Sequence, residues 1–229
     1  MAQRPESTQS YEQETRRHYQ HDDVAREYHE QFAAKVSLGN LSHVLVAKAE
    51  QRSVRQILES IRSDLSLVAD VPCGSGKLMT VLAGLSLSAI AGDVSSPMLR
   101  IARAVADRTS TVAKFVRLDI TALPFPDGAF DAVICLRFLH RVPSPIKSAA
   151  LLELRRIARR YVVVSYGIHN AWHRLRQRLR GLLVPGKTVP YPETRASLHS
   201  LFESVGLSVL RQLRPLPVLS AEEIAVLVK

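Results

Sequence analysis

The chain's 229 residues can bury the core of one α/β domain without metals or disulfides, and its two cysteines, Cys73 and Cys135, are too few for a secreted disulfide framework. No apolar stretch approaches the roughly 18 residues that span a bilayer, and the polar N-terminus, MAQRPESTQS, carries no targeting pattern; the expectation is a cytoplasmic protein in a reducing compartment. Lysine and arginine number 31 against 21 acidic residues, a net charge of +10, and the excess is concentrated. Between Leu154 and Pro192 there is no acidic residue, while Arg155, Arg156, Arg159, Arg160, Arg174, Arg176, Arg178, Arg180 and Lys187 all fall there. Such a field attracts nucleic acid, anionic lipid or a phosphorylated substrate, and a solvated helix face accounts for it equally well.

From Tyr11 to about Ile61 the pattern is helical: Val24, Tyr28 and Phe32 recur at four-residue spacing, and Val44, Val54, Ile57 and Leu58 continue an apolar stripe after a break at Gly39 and Asn40. We read residues 1–62 as a helical arm packing on the core and 63–229 as the main domain. Short apolar runs then alternate with helical stretches. SLVADV, LSAIAGD, AKFVRL, FDAVICL, YVVVSY, LSVLRQL and EIAVLVK read as seven strands. GKLMTVLAGL, SPMLRIARAVADR, SPIKSAALLELRRIARR and ETRASLHSLFESVG read as helices. The alternation argues for an α/β fold with a doubly wound, mostly parallel sheet, with residues 167–192 inserted after the fifth strand as a lid.

Open α/β sheets bind ligands at the carboxyl ends of their strands, where strand order reverses. The first strand reaches Asp70 and turns through Pro72, Cys73, Gly74, Ser75 and Gly76 into a helix. Glycines there allow close approach to a ligand, although a structural tight turn would use them too. The second strand ends at Asp93, 23 positions after Asp70, where a carboxylate can accept ribose hydroxyls. A helix cap would also explain Asp93, and Ser95 or Ser96 can cap the helix that begins at Pro97.

The stretch VRLDITALPFPDGAFDAVICL, following these two strand ends in order, resembles the signature of class I S-adenosylmethionine-dependent methyltransferases, in the branch of quinone and other small-molecule methyltransferases. The likeness runs from about Leu67 to Val142 and implies the Rossmann-like seven-stranded fold with S-adenosyl-L-methionine as cofactor. A nicotinamide dehydrogenase would show a full GxGxxG turn, where this chain has PCGSG. The resemblance implies that Asp70, Gly74 and Gly76 surround the methionine part, with Pro72, Cys73 and Ser75 in the same turn, and that Asp93 binds the ribose. Val94 and Met98 would pack near the adenine, Asp119 would accept from its amino group with Ile120 against the ring, and Cys135 and Leu136 would line the site from the fourth strand. Tyr28 would reach the cofactor from the N-terminal helix. Pro72 stands where the family usually has glycine and removes one N–H donor from the turn.

Arg137 and Trp172 are read as facing the acceptor, and His140 or His169 as the base that deprotonates it. Methyl transfer can also proceed by positioning and desolvation with no base. Trp172, Leu175, Leu179 and Leu182 give an amphipathic helix whose arginines crowd the other faces. It could close over a small or lipid-like acceptor, touch an anionic membrane surface, or pack its stripe on the sheet. Oxygen is the expected methyl acceptor ahead of carbon or nitrogen. An RNA methyltransferase using the basic segment 155–187, and a non-catalytic scaffold subunit that binds cofactor, are the alternatives; the absence of an RNA-binding module argues against nucleic acid as a partner. No spacing of His, Cys, Asp and Glu suggests a metal site.

Overall fold

The computed structural model describes residues 41–168, 193–216 and 221–229. The expectations placed on Tyr28, His169, Trp172 and the arginines of the insertion lie outside the described residues. Among the described residues, twelve α-helices and strands follow one another: α1 (Leu41–Ser60), β1 (Leu67–Asp70), α2 (Met79–Gly84), β2 (Ser88–Asp93), α3 (Ser96–Thr109), β3 (Ala113–Arg117), β4 (Phe130–Cys135), α4 (Ser144–Ile157), β5 (Ala158–Gly167), α5 (Arg195–Ser204), β6 (Ser208–Leu213) and β7 (Glu222–Val228). They build a seven-stranded sheet in the order β3-β2-β1-β4-β5-β7-β6. β7 alone runs antiparallel to its neighbours, and the order reverses between β1 and β4.

The sheet separates its side chains by the two-residue period of extended backbone. On one face Val68, Ala89, Ala132, Ile134 and Val163 pack against Val54, Ile57 and Leu58 of α1, Met79 and Leu82 of α2 and Ala102 of α3. On the other, Ala69, Val133, Cys135, Val162 and Val164 meet Leu151 and Leu154 of α4 and Leu198 and Phe202 of α5. Both faces are covered, which is why the central strands read as unbroken apolar runs. The stripe of α1 belongs to the same core as the sheet.

Local chemistry sets the element ends. Ser95 accepts a hydrogen bond from Met98 N at 3.2 Å and caps α3, with Pro97 in its first turn. Thr194 does the same for α5 through Ser197 N. α4 stops at Ile157, not at Arg160 as the sequence pattern suggests, because Ala158 already pairs with Phe130 and Tyr161 with Ala132 in the sheet. The Phe130-Asp131 pair holds the frame together, since Asp131 Oδ2 accepts from Ser66 N and Leu67 N at 2.9 and 3.0 Å and ties the start of β4 to that of β1.

The basic run divides into two parts. Arg155 donates to Gly206 O, Arg156 to Leu123 O and Phe125 O, Arg159 pairs with Asp131 and Arg160 with Asp64. These four arginines hold loops at the amino-terminal edge of the parallel strands. The remaining basic residues belong to the insertion, which leaves and returns at the opposite edge: Ile168 bridges Glu193, and the buried Lys147 donates to Glu193 Oε1 at 2.6 Å.

Gly76 shows how closely the layers approach. It lies at φ +77°, and a Cβ there would sit 2.8 Å from Ala102 Cα. The same left-handed turn keeps α2 from starting before Met79. Gly76→Ala should therefore destabilise the fold by about 2–4 kcal/mol, through overpacking and an unfavourable φ together; chemical denaturation is the check, and a loss under about 0.5 kcal/mol would contradict this packing.

Candidate functional site: the cleft at the switch point

A cleft open to solvent on one side lies at the carboxyl edge of the sheet beside the β1/β4 reversal. The turn after β1 contributes Asp70, Pro72, Cys73, Gly74, Ser75 and Lys77. Asp93, Val94 and Met98 come from the end of β2 and the start of α3; Leu136, Arg137 and Arg141 follow β4, and Glu50 and Gln51 lean in from α1.

The wall of the cleft is set by one carboxylate. Asp93 accepts from Gly74 N through Oδ2 and from Ser95 N through Oδ1, each at 2.9 Å. Burial raises its pKa, and these backbone N–H groups oppose the rise. Cys73 N donates to Gly92 O at 2.8 Å, and the Val71–Pro72 peptide is cis. Gly74 adopts φ +51° and has nothing within 4 Å of where a Cβ would stand, so the cleft has open space beside it. Asp70 is buried, with its pKa raised well above the ordinary range by burial and by the charge of Asp93. Its Oδ2 and the hydroxyl of Ser75 are buried with no hydrogen-bond partner among the described residues. Unpartnered buried acceptors beside an open cleft fit a ligand that brings its own donors, as an amino-acid and ribose-bearing nucleoside does.

An ionic cluster closes the other end. Arg137, at φ +56°, donates from its backbone N to Ser165 Oγ at 2.7 Å and from Nε to Glu50 Oε2 at 2.8 Å, with Nη2 3.5 Å from Glu222. Ser165 donates in turn to Glu222 Oε1 at 2.7 Å. Glu50 Oε1 is buried without a hydrogen-bond partner among the described residues, and burial followed by the charge of Glu222 raises the Glu50 pKa to about 7, against the pull of Arg137. His140 is half-buried in the 3-10 turn Leu139–Arg141. Its Nδ1 is shielded and meets no partner among the described residues, and burial lowers its pKa to about 4.

Of the residues expected from sequence, Asp70, Pro72, Cys73, Gly74, Ser75, Asp93, Val94, Met98, Leu136 and Arg137 share this cleft. Gly76 turns toward α3 and is not in the lining, Cys135 is fully buried in the core, and Ile120 is buried in the same cluster. Asp119 is half-buried beyond the lining and accepts from Thr121 N and Oγ1 at 3.0 and 2.8 Å. Sequence reasoning missed Glu50, Gln51, Lys77 and Arg141. A signal for Glu50 existed: it falls on the buried stripe of α1, between Ala47 and Val54, where an unpaired glutamate would be costly.

The strand order, the antiparallel β7 and the glycine turn at the switch point define the class I fold of S-adenosylmethionine-dependent methyltransferases. Residues 68–160 match the family described as a methyltransferase domain. Among curated relatives it is 41% identical over 68 residues to a demethylmenaquinone methyltransferase of Thermus thermophilus, covering 29% of this chain and 31% of that protein. It is 27% identical over 150 residues to the magnesium-protoporphyrin O-methyltransferase of Synechocystis, covering 63% of this chain and 64% of the relative. A probable tRNA methyltransferase 9B of Bos taurus is 31% identical over 115 residues, 50% of this chain and 23% of the relative. The alignments thus take in less than two thirds of these relatives' own lengths. The crystal structure of the Synechocystis magnesium protoporphyrin IX methyltransferase with bound SAH superposes with a TM-score of 0.77 at 21% identity, over 94% of this chain and 98% of that one.

The ionic cluster generates a pH prediction. Glu50 keeps its proton to about pH 7 in the folded protein but releases it near its ordinary 4.5 when unfolded, so the folded state binds more protons between those values. Relative to Glu50→Gln, wild-type stability should fall as pH rises from 4.5 through 7. His140 acts in the opposite sense, since its contribution is lost as pH falls from 6.5 through 4. Thermal melts of the two proteins across pH 4–8 isolate the Glu50 part as their difference; a pH-independent difference would contradict the buried placement of Glu50.

Proposed function

We propose that the protein transfers a methyl group from S-adenosylmethionine to a small or lipid-like acceptor, with oxygen as the favoured atom. The observation that carries this reading is the set of buried acceptors along one cleft wall: Asp70 and Ser75 without partners among the described residues, and Asp93 at the neighbouring strand end. When bound, the cofactor supplies an electrophilic methyl carbon on a sulfonium. In this reading Asp93 accepts from the ribose, Val94 and Met98 pack on the adenine, and Asp70, Gly74 and Ser75 take the amino-acid portion. Asp119 and Ile120, on the next strand end, are proposed for the adenine edge.

The chain's own contribution to rate is positioning and exclusion of water. His140 stays neutral at physiological pH with its pKa near 4, which makes it a weak base; His140 and His169 are the groups to replace when testing for proton removal. The insertion enters and leaves beside the cleft edge of β5, held by the Lys147–Glu193 pair, which supports its role as a lid over the acceptor. Against RNA as acceptor, four of the nine basic residues are engaged at the opposite edge of the sheet. No helix among the described residues is long and apolar enough to cross a membrane.

Two measurements test the proposal. Titration calorimetry should show S-adenosylhomocysteine binding with a dissociation constant on the order of micromolar. Asp93→Ala should weaken it by about tenfold or more, through loss of charge-assisted hydrogen bonds and of the Gly74 tie; a change below about twofold would remove Asp93 from the ribose site. Replacing Arg174, Arg176, Arg178 and Arg180 together by Gln should leave that affinity within about twofold while lowering methyl transfer, read by mass spectrometry of an extract incubated with labelled cofactor. Unchanged labelling would reduce the insertion to a solvated surface.

A further inference from the structure

We propose that Glu50 takes the proton from the methyl acceptor, and that the acceptor is accordingly a weakly acidic hydroxyl of phenol or enol type. The inference rests on the methyl-transfer reading above and deepens it. Glu50 belongs to the β4 end of the cleft lining, yet its exposure is only 3%. It stands in the buried stripe of α1, between Ala47 and Val54. Its neighbour Gln51 docks that helix on the glycine turn, donating from Nε2 to Lys77 O at 2.7 Å. The two carboxylate oxygens differ. Oε2 accepts from Arg137 Nε at 2.8 Å, and Arg137 is itself fixed through its backbone N on Ser165. Oε1 is buried and accepts from no donor among the described residues. A buried carboxylate oxygen without a donor is costly, and a hydroxyl entering the cleft supplies one.

The groups that face this carboxyl come from three other elements: Arg137 after β4, Glu222 of β7 and Lys77 of the glycine turn. Arg141 and His140, in the 3-10 turn, act in their turn on Lys77 and Glu222. Burial and Glu222 raise the Glu50 pKa, Arg137 and Lys77 lower it, and the balance stands at about 7. Burial also works against the charge of Glu222, but Arg137, His140 and Ser165 outweigh it and hold that carboxyl below its ordinary value. Of the two neighbouring carboxyls, Glu50 is therefore the one that takes up a proton. A base of this strength is ionised before the step at neutral pH and sheds its proton afterwards. A carboxylic acid acceptor is already ionised at that pH and has no proton to give, an alkyl alcohol holds its proton too firmly, and phenols and enols lie between. His140 is the weaker base, with its pKa near 4, and lies outside the lining. In the step the acceptor's O–H bond breaks and its proton passes to Glu50 Oε1. The oxygen's electron pair forms the bond to the methyl carbon, and the pair of the broken C–S bond stays on sulfur, whose positive charge is lost.

The test uses the full chain saturated with S-adenosylhomocysteine and two fluorescent probes of nearly equal shape. One, 2-naphthol, donates a hydrogen bond; the other, 2-methoxynaphthalene, does not. Wild-type affinity for 2-naphthol should rise about tenfold between about pH 5.5 and about pH 8, with its midpoint near 7 as Glu50 ionises. Affinity for 2-methoxynaphthalene should stay within about twofold over that range. Glu50→Gln, checked for a cooperative melt, should flatten the 2-naphthol profile. Glu222→Gln should keep the profile but move its midpoint down, toward the ordinary carboxylate range, because it removes a charge that raises the Glu50 pKa. A role of Glu50 confined to holding Arg137 predicts no such profile and no such movement. A 2-naphthol affinity independent of pH, a midpoint near 4 where His140 titrates, or a profile that survives Glu50→Gln would overturn the inference. So would a failure of the wild type to bind 2-naphthol at millimolar concentration. Should S-adenosylhomocysteine itself not bind, the methyl-transfer reading fails instead, and the same 2-naphthol profiles on the free protein decide the role of Glu50.

Discussion

The cleft depends on one carboxylate holding two strand ends together. Asp93 leaves β2 and binds Gly74 N in the turn after β1 and Ser95 N at the start of α3. Ser95 caps α3, and α3 in turn offers Ala102 as the surface on which Gly76 rests. The glycine turn, the β2 side of the cleft wall and the covering helix are thus fixed by a short chain of contacts anchored on a buried acidic group. Burial makes each of its hydrogen bonds worth more than on the surface, and their loss correspondingly costly.

The two ends of the cleft are built on different principles. At the β1/β2 end the backbone supplies the donors and the carboxylates are arranged around a left-handed glycine. At the β4 end the groups are side chains from α1, the glycine turn, β5, β7 and the turn after β4, gathered on Arg137. The insertion after β5 departs from and rejoins the same edge, where Ile168 bridges Glu193 and Glu193 accepts from the buried Lys147.

The basic segment shows how a composition signal divides in space. Read along the chain it is one run; in the fold Arg155, Arg156, Arg159 and Arg160 secure loops at the amino-terminal edge of the sheet, and the rest fall in the insertion, whose flanking residues Ile168 and Glu193 lie at the other edge. A strand crossing lies between them, since β5 carries the chain from one edge to the other. The motif at Leu123–Asp131 divides in the same way. Its Leu-Pro-Phe turn is held by Arg156 and Glu153, and Asp131 fastens β1 to β4, so much of the signature serves the frame and not the ligand.

The sequence by itself determined the order of strands and helices, the placement of Asp70, Gly74 and Asp93 at or just after strand ends, and the cap of α3. These follow from local periodicity, from turn chemistry and from side chains that bond within a few residues. It also carried most of the cleft, because a turn after a parallel strand is obliged to lie at the carboxyl edge. Only the tertiary structure decided that Gly76 packs on Ala102, that Cys135 belongs to the core, and that Glu50, Arg137, Glu222 and Lys77 form one cluster. Glu50 and Arg137 stand 87 positions apart, and no local pattern encodes such a pairing; it is set by how α1 docks on the sheet and by the cost of leaving any of those charges buried alone.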